Sequence, residues 1–74
     1  MMNLLDAEEG KEYLISSVNT EDDEEMEDFL FSLGCYGGEP ITVISKLRGG
    51  CIVAIKDGRY TVDKKLMAAI EIKE

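Results

Sequence analysis

Chemistry in this chain would have to come from cysteine, carboxylate or backbone amide, because its 74 residues include no histidine. That absence removes the commonest general base and the commonest metal ligand together. Cys35 and Cys51 lie in separate segments, and neither has a second cysteine close by to make half of a zinc site. Each fits a small buried hydrophobe. With no export signal ahead of them, they point to a reduced, cytoplasmic setting more than to a disulfide. Carboxylates are plentiful: Glu21-Asp22-Asp23-Glu24-Glu25-Met26-Glu27-Asp28 holds seven of the sixteen acids and no base. The run lacks the alternation and central glycine of a calcium loop. Successive carboxylates on a helix also point in different directions. It reads as a solvated acidic face, capable at most of weak, exchangeable divalent binding, and no metal or cofactor ligand is assigned. Gly37-Gly38 and Gly49-Gly50 could each approach an anion, yet isolated glycine pairs are turns far more often than phosphate cradles. No G-x-S-x-G or Walker sequence is present. No catalytic residue is assigned, and the chain is not expected to be an enzyme.

Charge and size narrow the classes further. The net charge is −8, and outside the acidic run nine acids face eight bases. A nucleic-acid surface needs a positive face that releases counterions from phosphates. Here Lys46, Arg48, Lys56, Arg59, Lys64, Lys65 and Lys73 are scattered and outnumbered, which argues against nucleic acid. The longest uncharged stretch, Phe29 to Gly38, is broken by Ser32 and three glycines. It falls far short of the roughly 20 apolar residues that span a bilayer, so no direct membrane insertion is expected. The opening Met-Met-Asn-Leu-Leu-Asp-Ala-Glu-Glu has neither a basic region nor a long apolar one, so no signal peptide is read there. Residues 1–74 are taken as one small domain, with 45% apolar residues to fill its core.

Periodicity supplies the elements. Residues 11–18 predict a strand with Tyr13 and Ile15 on one face and Leu14 on the other. Met26, Phe29, Leu30 and Leu33 recur at i, i+3, i+4 and i+7, the stripe of a helix over about 21–33. Thr20 and Asp23 resemble its capping box, and Gly34 its left-handed cap. After Gly37-Gly38 the period becomes two. Ile41, Val43 and Ser45 alternate with Thr42 and Ile44 in a strand that follows Pro40. Arg48-Gly49-Gly50 turns into an interior strand from Cys51 to Lys56, and Asp57-Gly58 makes a hairpin with Arg59–Val62. Asp63 caps a short helical turn near 63–69, and Ile70-Glu71-Ile72 is a last strand. Ile15, Met26, Leu30, Leu33, Ile41, Val43, Val53, Ile55, Val62, Ile70 and Ile72 are the expected core. Five short strands with one inserted helix predict an all-β fold, a small Greek-key or SH3-like barrel.

This order and several motifs resemble the FeoA family. Gly10 followed by Tyr13-Leu14-Ile15 is similar to the family's opening glycine and aromatic-x-aliphatic pair. Leu30-Phe31-Ser32-Leu33-Gly34-Cys35-Tyr36-Gly37-Gly38, continuing into Ile41-Thr42-Val43-Ile44, resembles its leucine-x-x-leucine-glycine signature. Lys64-Lys65, Ala68 and Ile70-Glu71-Ile72 resemble its close, so the likeness runs from about residue 8 to the end. Two positions depart from it: Phe29 stands where a base is usual, and Gly37 stands where a proline precedes the glycine. The resemblance implies an SH3-like barrel in the cytoplasm that assists ferrous-iron transport by contacting a FeoB-type membrane transporter. It also implies an alternative, a transition-metal-binding or metal-responsive domain related to the C-terminal domain of iron-dependent repressors.

The residues themselves offer one candidate contact surface. Phe31 lies off the helical stripe, and Cys35-Tyr36 follow the helix beside glycines. Phe31, Cys35 and Tyr36 are therefore expected to form an apolar partner-binding patch at the long loop. The acidic helix beside it should favour a basic partner and make binding salt-sensitive.

Overall fold

The computed structural model describes residues 2–74. A short 3₁₀ turn, Leu4–Asp6, precedes β1 (Glu12–Val18), α1 (Glu24–Leu33), β2 (Pro40–Leu47), β3 (Gly50–Ile55), β4 (Gly58–Asp63), α2 (Lys64–Ala69) and β5 (Ile70–Lys73). The strands form one antiparallel five-stranded sheet in the order β4-β3-β2-β1-β5. The all-β class, the inserted helix and the helical turn are thus present in the expected sequence.

Local chemistry explains each element. Tyr13 and Ile15 of β1 are buried while Leu14 is exposed, the alternation of a half-buried strand. The register of β1 shifts between Ile15 and Ser17, and that of β2 between Val43 and Ser45. Such bulges bend strands and tighten their twist, which curls the sheet around its core. β1 belongs to both halves of the curl, pairing through Glu12–Leu14 with β2 and through Leu14–Val18 with β5. The Asp63 carboxylate accepts from the Leu66 N–H at 2.9 Å and so caps α2, as expected.

Three details differ from the sequence reading. Helix α1 starts at Glu24, because the Asp23 carboxylate, and not Thr20, accepts from the Met26 N–H at 3.0 Å. Glu21 and Asp22 ahead of it have φ of 52° and 67°. They are spanned by a 3.1 Å bond from the Asp23 N–H to the Thr20 carbonyl, a tight turn with both central residues left-handed. The β3–β4 turn residues are Lys56 and Asp57, with Ile55 paired to Gly58. Gly58 is a strand residue whose added Cβ would collide with the Tyr60 ring. Of the helical stripe only Leu30 is fully buried; Met26 and Leu33 pack partly against the core, and Phe29 is 47% exposed. The helix thus meets the sheet along a narrow line.

The remaining expected core residues are buried, joined by Leu4, Ala7, Tyr13, Cys35, Cys51, Met67 and Ala69. Leu4 is held there by a reciprocal cap: Asn3 Oδ1 accepts from the Leu5 N–H and Asp6 Oδ2 from the Asn3 N–H. No helix among the described residues is long and apolar enough to cross a membrane.

Candidate protein-docking site

The site begins with the way α1 stops. Gly34 takes a left-handed conformation, φ 93°, and donates to the Phe31 carbonyl at 3.0 Å. The Cys35 N–H then reaches back to the Leu30 carbonyl at 2.9 Å. These two bonds are the Schellman arrangement, which also brings the residue after the glycine against the one five positions earlier. Leu30 and Cys35 accordingly both lie in the core.

Cys35 is therefore misplaced in the expected patch. Its side chain is 2% exposed and supports the loop from beneath. Burial pushes the thiol up to about 11 from 9.0, so it stays protonated at neutral pH. Cys51 is buried as well, and burial raises its thiol against the opposing pull of Lys46. Both cysteines are free. Among the described residues no three of His, Cys, Asp or Glu are grouped to hold a metal ion.

Phe31 and Tyr36 do come together. Their ring centroids are 5.0 Å apart at 35°, and Phe31 remains 65% exposed. The loop under Tyr36 is stitched to the sheet. Its carbonyl accepts from the Glu39 N–H at 3.2 Å across Gly37-Gly38. The Gly38 N–H donates to the Ile15 carbonyl at 2.8 Å, and the Ile15 N–H to the Glu39 carbonyl at 2.9 Å. Gly38 has φ 92°, the left-handed value a turn closing here requires.

From the far side of the chain, Lys56 completes the wall. Its stem passes over Gly34, where a Cβ would sit 3.0 Å from Lys56 Cε. Its ammonium pairs with Glu39 and lies 5.3 Å from the centre of the Tyr36 ring. Glu39 first, and then Tyr36, raise the Lys56 pKa. Phe31, Leu33, Tyr36, Lys56 and Tyr60 line an open groove of about 460 Å³. Lys56 and Tyr60 were not legible as site residues, since only the fold brings the β3–β4 hairpin beside the end of α1, and Glu39 gains its role only through Lys56.

Electrostatically the surface is one-sided. Glu24, Glu27 and Asp28 stand seven, four and three positions before Phe31, on the same helix face. The ion pairs among the described residues are Lys11–Glu74 and Lys56–Glu39, so the α1 acids have no cationic partner there.

Comparison with known proteins matches this architecture. One solved neighbour is an iron uptake regulatory protein, FeoA, with a TM-score of 0.82 at 18% identity over 95% of this chain and 92% of that one. Another is the FeoA of Stenotrophomonas maltophilia complexed with zinc, described as a prokaryotic SH3 domain protein. It gives a TM-score of 0.86 at 16% identity over 99% of this chain and 91% of that one. At such identities the likeness establishes the fold, an SH3-like barrel. No curated protein sequence matches. The FeoA domain model matches residues 2–74, nearly the whole sheet-and-helix unit described above, and the chain belongs to the FeoA family.

Proposed function

We propose that this protein is an accessory of bacterial ferrous-iron transport that docks in the cytoplasm onto a FeoB-type membrane transporter. The observation that carries the reading is the exposed Phe31 ring, held against Tyr36 above a loop tied to β1. Aromatic anchors on a rigid support lose little entropy on binding and dominate interface energies. Family membership supplies the transport context, and the Stenotrophomonas relative is discussed as a ferrous iron transport activating factor. That relative was solved with zinc, but the present chain has no histidine and keeps both thiols buried. Its donors favour a protein partner over a resident metal.

The test is capture of the transporter's cytoplasmic part by the full chain. Replacing Phe31 and Tyr36 together by Ala should abolish capture while the circular dichroism and melting curve stay those of a folded barrel. Equal capture by the double variant would exclude this surface. Failure of the unaltered chain to capture the transporter at any salt concentration would exclude the docking role.

A further inference from the structure

The docking surface has a directional charge pattern that specifies its occupant. Phe31 ends a helix face whose preceding positions, Asp28, Glu27 and Glu24, are all acidic and all without an ion-pair partner among the described residues. At 1.5 Å per residue these carboxylates lie about 5 and about 10 Å along the axis from the aromatic anchor. No lysine or arginine occurs between Lys11 and Lys46, a stretch that holds nine acids. The one base that lines the groove with Phe31, Lys56, is already committed to Glu39 and the Tyr36 ring. An incoming anion therefore meets no uncommitted base in the groove lining, while an incoming cation meets a graded ridge.

We infer that the depression Phe31 and Tyr36 share with Glu27 takes a basic amphipathic segment of the partner, with one apolar side chain against the two rings and its lysines or arginines along Asp28, Glu27 and Glu24. This rests on the docking reading above and deepens it. Cytoplasmic segments next to transmembrane helices carry an excess of lysine and arginine. A juxtamembrane stretch of a transporter thus has the required sign, whereas an anionic lipid surface has the wrong one. Complementary charge sets the approach and register of such a segment, and the aromatic pocket sets how long it stays. The same ridge disfavours a second copy of this chain, whose own ridge would face it with like charge.

The probe is a fluorescein-labelled helical peptide of about 16 residues, with one Trp and with Lys at i+3, i+4 and i+7 from it. Its binding to the full chain is read by anisotropy. Binding should weaken as salt rises, and by about thirtyfold in Phe31→Ala, the loss typical of an interface anchor. Glu27→Lys combined with Asp28→Lys should lose the lysine peptide and gain a peptide with Glu at the same positions. That exchange of partners is a result a merely destabilised variant would not give. Equal binding of a scrambled peptide of the same composition would reduce the ridge to general charge attraction and overturn the inference. So would a dimer of the chain that Phe31→Asp dissolves, which would assign the face to a second copy. Transporter capture that needs Phe31 but ignores the double charge reversal would overturn the inference and leave the docking role standing. Charge-swapped peptide binding without any transporter capture would do the reverse.

Discussion

Replacing Gly38 by Ala would isolate a purely conformational effect, because no residue beyond its two chain neighbours comes within 4 Å of where the new Cβ would stand. With φ at 92°, the substitution should cost about 1–2 kcal/mol in urea unfolding, all of it backbone strain. At Gly34 the same change adds a tight contact with the Lys56 stem to a similar strain, so it should cost more. Cys35 makes a different kind of prediction. Its thiol pKa is raised by burial, so above pH 9 the folded state holds a proton that the unfolded state has released. Stability should then fall as pH rises from about 9 to about 11, by roughly 2–3 kcal/mol in total. That part of the decline should be missing from the Cys35→Ala profile, so subtracting the two stability–pH profiles should recover it. An unchanged slope would show that the thiol is not the group titrating.

The elements show which signals a sequence carries and which it hides. Asp63 capping α2 was legible because the capping carboxylate and the N–H that donates to it are three residues apart. The start of α1 was less so, since Thr20, Asp22 and Asp23 all suit a cap. Only the left-handed turn at Glu21-Asp22 selects Asp23. Of its two left-handed residues Asp22 is a type that tolerates φ > 0 and Glu21 is not, so Glu21→Gly should stabilise the protein. About 1 kcal/mol is expected, read as a Tm rise of roughly 4–8 °C. The burial of Cys35 could have been found, since leucine, glycine and cysteine stand at the Schellman spacing. The exposure of Phe29 could not, because periodicity says which residues share a face and not how much of it is covered. The burial difference also separates two leucines. Leu30→Ala should cost about 2–5 kcal/mol, whereas the half-buried Leu33 should cost clearly less by chemical denaturation.

At the scale of the whole molecule, the docking groove was invisible in the sequence because its two walls are far apart along the chain. Phe31 and Tyr36 come from the end of α1, and Lys56 and Tyr60 from the β3–β4 hairpin. What composition did carry was the absence of histidine and the presence of only two cysteines, far apart in sequence. Protein dialysed against a mild chelator should retain well under one equivalent of iron or zinc by elemental analysis, and a full equivalent would overturn that expectation. The sheet order has a consequence for synthesis on the ribosome. β1, β2, β3 and β4 can pair in order while the chain is still emerging, each contact being between strands consecutive in sequence. The strand that covers the outer edge of β1 is β5, made after the other four. Until β5 emerges, the nascent chain therefore carries an open β-edge at β1, where a neighbouring chain on the same message could pair in its place.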